Sequence, residues 1–446
     1  MLVHQLIHRF HHPRVRGVLD QPVTGLTHNP RAAGPGIVFV ALPETQRANP
    51  HQILTALERG ATAIICPPDV PLPDRGTCIT VNDANEAFAL AAAELCAHPS
   101  ERLRIIGIRG PRASVVAGFL HQLLNLTGEK CGLLTSAGCE IADRRLPTPI
   151  GELEPIAIHE ALRGLVRSAC SSCVIEISDA TDSHRNLCGI KLAATLDLSR
   201  DRDAQPIRGT SLHSGNHTAT DLALLPGAIH FSILVHRARV VVRAPMVGRS
   251  NAEDLMHALR AALNLGVDPV ALTKACTRLK PIKGVMENLR CGQPFSVFID
   301  GASDPESLER VLANASEVSE GRLIAVIGGT ADQTAAIREA IGQTAAQWAD
   351  ECIVTTDNPR ELDTTSLARD VLQGIRHVPG AKTRVELDRA VAIRRALRLA
   401  GPKDTVLILG KGHRTLQQLD RCVIPFDDTL VAQECLAEMG CVGTEF

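Results

Sequence analysis

Three groups of polar residues follow apolar runs that are predicted as strands. Thr355-Thr356-Asp357-Asn358-Pro359-Arg360 closes one run, Gly410-Lys411-Gly412-His413 closes another, and Pro425-Phe426-Asp427-Asp428 comes after it. Asn358 and Arg360 could clamp a carboxylate, the arginine through a bidentate contact. In an open α/β sheet, ligands bind at the loops after the carboxyl ends of strands. One Asn-Pro-Arg sequence is compatible with a plain turn, but three such groups in order predict a binding site.

A second candidate site has the spacing of a zinc site. Cys170, Cys173, His184 and Cys188 form a C-x2-C…H-x3-C pattern of thiols and an imidazole. However, Cys173 opens the run Cys173-Val174-Ile175-Glu176-Ile177, which is typical of a buried strand that would point Cys173 into the core. We therefore favour a structural role, and a zinc-stabilised interaction protein stays open as an alternative.

The elements that must position these residues alternate along the chain. Apolar runs at 36–41, 61–66 and 103–108 predict strands, and the periodicity at 52–59 predicts a helix. This alternation is typical of a mainly parallel sheet covered by helices. Residues 231–242 are typical of antiparallel strands, and the helix predicted at 252–265 should end at Gly266.

The chain of 446 residues is too long for one ordinary domain. We place domain boundaries near residues 100 and 288. In the last block, which starts near Cys291, strands are predicted at 296–299, 323–327, 351–355 and 406–409. Helices are predicted between them, for example at 308–318 and 388–399.

Composition excludes several classes of function. The net charge is −2, so no global positive field favours nucleic acid or anionic lipid. Aromatic residues make up 2% with no Tyr, which disfavours base-stacking surfaces. The apolar runs are short and interrupted by charges, so we expect no membrane span and a cytoplasmic protein.

The polar groups of the third block together resemble the C-terminal domain of the Mur ligases, closest to the UDP-N-acetylmuramoyl-tripeptide synthetases that add diaminopimelate. The resemblance covers about residues 29–437. It implies a three-domain α/β fold: a uridine-nucleotide-substrate-type domain (1–100), a P-loop-type central domain (101–288) and a Rossmann-like domain (289–446). It also implies a reaction in which ATP, with Mg²⁺, phosphorylates the carboxylate of UDP-N-acetylmuramoyl-dipeptide, and an amino-acid amine attacks the acyl phosphate.

The N-terminal block resembles the same family. Asn29-Pro30-Arg31 and the following Pro-Gly-Ile-Val-Phe-Val-Ala stretch are similar to the family's Asp-Ser-Arg…Pro-Gly-x-Leu-Phe-Val-Ala, and Asn49-Pro50-His51 stands where the family has Asp-Gly-His. The resemblance implies that Arg31 and His51 lie on the UDP-substrate side. Pro30 replaces a Ser, so a hydroxyl and a backbone N–H are both missing.

The phosphate loop departs from the family. The family has Gly-x-Thr-Gly-Thr-Asn-Gly-Lys-Thr-Thr, whereas this chain has Gly107-Ile108-Arg109-Gly110-Pro111-Arg112-Ala113-Ser114-Val115-Val116. The lysine for the β/γ-phosphates and the hydroxyl for magnesium are replaced by Ser and Val. Proline also removes an N–H donor, and the two arginines can attract an anion without rebuilding the Lys–Mg²⁺ geometry. The loop equivalents are Gly107, Gly110, Arg112, Ser114 and Val115.

The residues expected to bind the metal ion also differ from the family pattern. Glu176 matches the family's metal-binding Glu, but Arg202 stands where a metal-binding His belongs, and a guanidinium cannot bind a cation. The family's Ser-Ser-His becomes Ser-Asp-Ala at 178–180. These ligases also place a second Mg²⁺ with a carbamylated lysine, and this chain has no lysine between Lys191 and Lys274.

The amino-acid pocket is mixed. Asn358 and Arg360 match residues that hold diaminopimelate, and Gly410 and His413 keep the family pattern, but Arg414 replaces a Glu that receives an amino group. We expect Arg414 to face the same cleft, so that two guanidiniums favour a ligand with two or more acidic groups. The resemblance also makes Asn251 and Asp300 the equivalents of nucleotide contacts.

These departures lead to three hypotheses. The first is a catalytically inactive Mur-ligase homologue that binds a UDP-linked muramoyl peptide or an acidic small molecule, or associates with an active ligase. The second is an active ATP-dependent amide ligase of altered specificity, and the third is the zinc-stabilised interaction protein. ATP and Mg²⁺ are implied by the resemblance, but the substitutions argue against their use.

Overall fold

A computed structural model describes residues 1–43, 50–136, 138–141, 144–146, 154–178, 185–199, 210–212, 220–225, 227–235, 238–420 and 422–441. The chain forms two compact units, Met1–Gly215 and Asn216–Phe446. Asn49, Asp179, Ala180, His184 and Arg202, which the sequence analysis named or included in its segments, lie outside the described residues. Within the described ranges, no helix combines the length and apolarity that crossing a membrane requires.

The first part of the first unit is built on a five-stranded sheet. Its elements are α1 (Val3–Leu6), β1 (Arg14–Arg16), β2 (Gly25–Thr27), a 3-10 turn (Pro30–Ala32), β3 (Ile37–Val40), α2 (Pro50–Glu58), β4 (Ala63–Cys66), β5 (Cys78–Thr80) and α3 (Ala84–Leu95). The strand order is β1-β5-β4-β3-β2, with only β1 antiparallel to its neighbour. The βαβ alternation predicted for this block is confirmed.

The rest of the first unit contains a seven-stranded sheet. Its elements are a 3-10 turn (Pro99–Arg102), β6 (Arg104–Arg109), α4 (Ala113–Leu126), β7 (Cys131–Thr135), β8 (Gly138–Ile141), β9 (Arg144–Leu146), α5 (Pro155–Arg167), β10 (Ser172–Ile177), β11 (Leu192–Asp197) and β12 (Thr210–Leu212). In the order β12-β11-β6-β10-β7-β8-β9, the first five strands are parallel. Their carboxyl ends therefore lie at one edge, which we call the central edge.

The second unit begins with a three-stranded antiparallel sheet and two helices. These are β13 (Thr220–Leu225), β14 (Ala228–Val235), β15 (Ala238–Ala244), α6 (Arg249–Asn264) and α7 (Pro269–Cys276). The antiparallel strands were predicted from residues 231–242. Helix α6 starts three residues earlier than predicted, because the Asn314 side chain accepts the Arg249 N–H at 3.0 Å and caps its first turn.

The remainder of the second unit is a three-layer α/β structure. Its elements are β16 (Glu287–Asn288), β17 (Ser296–Asp300), α8 (Pro305–Val318), β18 (Leu323–Gly329), α9 (Ala335–Trp348), β19 (Glu351–Thr356), α10 (Thr364–Arg376), β20 (Lys382–Val385), α11 (Arg389–Leu399), β21 (Thr405–Leu409), β22 (Leu416–Leu419), β23 (Cys422–Pro425) and α12 (Asp428–Glu438). The main sheet has the order β16-β17-β21-β18-β19-β20, and only β16 is antiparallel. The sheet thus begins a few residues before Cys291.

Alternating residues of the central strands cover two separate cores. Leu323, Ala325 and Ile327 pack with α8, α9 and α10, whereas Ile324 and Val326 pack with α11 and α12. This period of two, with both faces apolar, is what a parallel strand between two helical layers requires. The sheet brings the carboxyl ends of β17, β18, β19 and β21 to one edge, which we call the C-terminal edge.

Candidate functional site

The loop at the central edge keeps the backbone course of a strand–turn–helix connection. Gly110 has φ of +102°, and a Cβ there would lie 2.8 Å from the Ser199 nitrogen, so the position requires glycine. The backbone N–H groups of Ala113 and Val115 are donated to the carbonyls of Gly110 and Arg112. Together with the missing N–H of proline at 111, this removes donors that a phosphate would need.

The side chains of the loop equivalents lie in different environments. Val115 is 6% exposed and packs into the core, while Ser114 is half-buried in the first turn of α4. The Arg109 Nε lies 2.9 Å from Asp197 Oδ2, so its charge is already paired. Gly107 lies inside β6, where a Cβ would meet the Ile177 side chain.

Acidic groups at the central edge are hydrogen-bonded by the chain itself. Glu176, the equivalent of the expected metal ligand, accepts the Ser136 N–H at 2.6 Å and the Ser136 hydroxyl at 2.7 Å. Asp197 accepts the Ser199 N–H at 2.9 Å and its hydroxyl at 2.5 Å, in addition to its ion pair. These donors occupy Oε2 of Glu176 and both oxygens of Asp197, so a cation at this edge would share the carboxylates with them.

At the C-terminal edge the central group is Asp357, one residue after β19. Its side chain is 1% exposed and lies 2.8 Å from Arg414 Nη2 and 3.4 Å from Lys411 Nζ. The Lys411 ammonium is itself buried and donates to the Leu416 carbonyl at 2.7 Å. Burial, opposed by Asp357 and reinforced by Arg389 and Arg414, lowers the pKa of Lys411 from its ordinary value.

A second buried ion pair lies at the same edge. Arg389 Nε and Nη2 donate to the two oxygens of Asp428 at 2.8 and 2.6 Å, and both side chains are 0% exposed. Nη2 also donates to the Leu409 carbonyl at 2.9 Å. Burial alone would lower the pKa of Arg389, but the Asp428 carboxylate more than offsets it, and the pKa is raised.

Both arginines of the predicted amino-acid pocket form ion pairs within the chain. Arg414 Nη2 lies 2.8 Å from Asp357 Oδ2, and Arg360 Nη1 lies 2.8 Å from Asp332 Oδ1. The charge argument for a ligand with several acidic groups therefore loses its basis. Asn358 is also engaged, since its Oδ1 accepts the Gln418 N–H at 3.1 Å and holds the β22–β23 hairpin.

Close backbone packing shapes the rest of this edge. There is no space for a side chain at Gly412, because a Cβ there would lie 2.5 Å from the Gly301 Cα. Asp300 accepts the N–H groups of Met286 and Ala302, both at 2.8 Å. The cavity beside Gly410 measures about 10 Å³, which suffices for one water molecule. His413 follows this glycine turn and is half-buried.

The described residues of the cysteine pattern do not form a metal site. Cys173 is fully buried in β10, as the apolar run predicted, and burial raises the pKa of its thiol well above the ordinary value. A buried thiol of raised pKa is a poor source of the thiolate that zinc binds. In the part of the chain that the structure describes, which excludes His184, no three potential ligands lie together.

Comparison with known proteins identifies the family. A family model described as "Mur ligase, glutamate ligase domain" matches residues 286–412. The UDP-N-acetylmuramoyl-L-alanyl-D-glutamate--2,6-diaminopimelate ligase of Alkalilimnicola ehrlichii is 30% identical to this chain, over 94% of this chain and 96% of that protein. The ligase of the same name from Solibacter usitatus is 28% identical over 94% of each.

The chain belongs to the Mur ligase family. A solved structure of a UDP-N-acetylmuramoyl-L-alanyl-D-glutamate--2,6-diaminopimelate ligase covers 99% of both chains with a TM-score of 0.62 at 21% identity. A structure of the D-alanyl-D-alanyl-adding ligase from Acinetobacter baumannii covers 92% of this chain and 94% of that one, with a TM-score of 0.61 at 15% identity. These structures confirm the α/β Mur-ligase fold.

The two residues predicted on the UDP-substrate side of this Mur-ligase homologue lie on neighbouring elements. Arg31 is in the 3-10 turn after β2, and His51 is the second residue of α2, which packs against that turn. Both side chains are exposed. In the second unit, Asn251 is buried, and among described residues its Oδ1 has no hydrogen-bond partner although its Nδ2 donates to the Val247 carbonyl at 2.9 Å.

Sequence reasoning missed several partners. Ser136 and Asp332 did not stand out, because nothing in a local pattern links them to Glu176 or Arg360. Arg389 carried a usable signal: it shares one face of its helix with the buried residues Ala392, Ile393, Ala396 and Leu397. A charged residue on an apolar helical face predicts a buried partner.

Proposed function

We propose that this Mur-ligase homologue does not carry out ATP-driven amide ligation and that its remaining function is binding. The observation that carries the proposal is the state of the carboxylates at the central edge. Glu176 and Asp197 are hydrogen-bonded by Ser136, Ser199 and Arg109. These donors compete with Mg²⁺ for carboxylate lone pairs, and the Arg109 guanidinium adds a positive charge that opposes a cation at Asp197.

The phosphate loop supports the same proposal. A Walker-type loop holds phosphates with convergent N–H groups, a lysine and a hydroxyl-bound Mg²⁺. In this chain Ser114 lacks the ammonium of the lysine that it replaces, the buried Val115 lacks the hydroxyl of the residue that it replaces, and two of the N–H groups are donated to backbone carbonyls. These residues do not fit Mg²⁺-ATP.

We infer that this chain retains ligand binding on the predicted UDP-substrate side, which contains Arg31 and His51. Relatives are named for a UDP-N-acetylmuramoyl-L-alanyl-D-glutamate substrate, and these two exposed residues match their pattern on adjoining elements. We therefore propose a UDP-linked muramoyl peptide as the ligand class. Association with an active ligase is a second way in which a homologue that binds without turnover could act.

The test is calorimetric titration with Mg²⁺-ATP. Each lost charge-assisted phosphate contact costs about 1.5–3 kcal/mol, or roughly tenfold to a hundredfold in affinity. Two or three losses place the dissociation constant above about 1 mM for a site that would otherwise be micromolar. The ligase of Alkalilimnicola ehrlichii serves as the binding control, and Ser114→Lys as a matched variant that restores one contact.

The outcomes separate the hypotheses. Micromolar Mg²⁺-ATP binding by the parent protein contradicts the proposal and favours an active ATP-dependent amide ligase of altered specificity. A second titration, with UDP-N-acetylmuramoyl-dipeptide in place of nucleotide, distinguishes a binding protein from a fold without ligand. Metal analysis of the purified protein decides the zinc alternative.

A further inference from the structure

Arg414 covers a buried carboxylate at the C-terminal edge. Its Nη2 lies 2.8 Å from Asp357 Oδ2 and also donates to the Gly410 carbonyl, and its Nε donates to the Lys411 carbonyl at 3.3 Å. One carboxylate oxygen and two main-chain carbonyls thus converge on one guanidinium. All three groups are acceptors, so together they form a site that suits a cation with several N–H groups.

Exposure shows which member of this arrangement faces solvent. The Arg414 side chain is 37% exposed, whereas the side chains of Asp357 and Lys411 are 1% and 0% exposed. Removal of the Arg414 side chain would therefore open a path from solvent to Asp357. Lys411 Nζ, at 3.4 Å from the other carboxylate oxygen, is turned to the Leu416 carbonyl and leaves the Arg414 side of the carboxylate free.

We propose that Arg414 is a tethered cation that fills a cation-binding site formed by Asp357 and the carbonyls of Gly410 and Lys411. Free ligands with an ammonium or guanidinium group are thereby excluded. The inference rests on the proposed function and extends it, because it explains how the amino-acid pocket of this chain excludes an amine. It does not depend on the nucleotide site.

The contrast with Arg360 supplies a matched control. Arg360 is also paired with an aspartate, at 2.8 Å, but the side chain of that aspartate, Asp332, is 56% exposed. Water screens an exposed carboxylate of this kind. Removal of the Arg360 side chain therefore leaves no enclosed cation-binding site at Asp332. Truncation of the two arginines should therefore have different consequences.

The experiment is a rescue of Arg414→Ala by small cations. The full chain is used. Thermal unfolding of its second unit is followed while guanidinium or methylammonium is titrated in the millimolar range at constant ionic strength. For Arg414→Ala we expect a saturable rise in Tm of about 2–4 °C, since a ligand that binds only the native state stabilises it. The parent and Arg360→Ala should show no saturable rise.

The absence of a saturable response in Arg414→Ala, or an equal response in the parent, overturns the proposal. If Arg414→Ala does not fold, Arg414→Gln keeps the aliphatic stem and removes the charge. Titration calorimetry of this folded variant should then show methylammonium binding, and its absence is likewise decisive. Micromolar Mg²⁺-ATP binding by the parent would end the proposed function and leave this result standing.

Discussion

The central edge and the C-terminal edge are both formed by parallel strands that end in acidic residues, but they neutralise those residues in different settings. At the central edge, Glu176 is held by the exposed Ser136, and the ion pair of Arg109 with Asp197 is partly exposed. At the C-terminal edge, Asp428 is buried with its partner Arg389, and Asp357 is buried with Lys411. Buried charges are costly to leave unpaired, whereas solvent replaces a lost partner near the surface.

This difference predicts different effects on stability. We expect substitutions at the central edge to change stability little, because its charged side chains reach solvent. At the C-terminal edge, removal of one partner of the fully buried Arg389–Asp428 pair should lower stability strongly.

The largest expected effect is the loss of the buried pair at the C-terminal edge. Arg389→Leu leaves Asp428 buried and uncompensated, and should lower the free energy of unfolding by about 3–5 kcal/mol. Urea denaturation of the second unit measures the loss. The double variant Arg389→Leu with Asp428→Leu should recover most of it, since apolar residues can replace a buried pair.

Arg394→Leu is the matched control on the same helix. Arg394 pairs with Glu438 near the surface, and we expect little measurable change. A loss as large as that of Arg389→Leu would show that burial does not decide the outcome.

The next effect concerns the interior of the first unit. His159 in α5 is fully buried, and neither ring nitrogen has a hydrogen-bond partner among the described residues. Burial, with a smaller contribution from His98, lowers its pKa from 6.5 to about 4. A lowered histidine pKa contributes stability above 6.5 that is lost as the pH falls toward 4, here up to about 3 kcal/mol.

Hydrogen exchange of peptides from α5 between pH 7 and pH 4, corrected for intrinsic exchange rates, measures this loss. His159→Leu removes the titrating group and should leave a much flatter pH dependence. If the variant and the parent lose protection in parallel, other groups cause the acid sensitivity.

The smallest effect is expected at the central edge. Arg109→Met breaks the pair with Asp197, and should cost about 0.2–1 kcal/mol because both side chains reach solvent. The cost should shrink further at high salt, which screens surface charges. A loss comparable to that of Arg389→Leu, measured by the same urea denaturation, would erase the contrast between the edges.

The sequence predicted the layers of the fold better than the contacts of the site. Apolar runs such as 323–327 and 351–355 became the strands of the main sheet, because a strand buried on both faces needs a continuous apolar run. The polar groups that begin near Asp357 and Gly410 follow directly after β19 and β21, as the apolar runs predicted. The three-domain boundaries near 100 and 288 stay a prediction beside the two compact units.

The contacts of the site depend on tertiary placement. Arg414 was expected in the amino-acid pocket without a named partner, whereas the structure pairs it with Asp357, which lies 57 residues away in the sequence. Ser136 and Glu176, 40 residues apart, meet only because β10 pairs with β7. Side-chain pairing of this kind follows from strand order and rotamer, which local patterns do not specify.

Helix α9 ends at Trp348, the only tryptophan in a chain that has no tyrosine. Its side chain is 38% exposed. Intrinsic fluorescence excited at 295 nm, a wavelength that tryptophan alone absorbs, therefore reports on the second unit and is blind to the first. Circular dichroism averages over both. A difference between the two melting curves would assign each transition to its half of the molecule without any label.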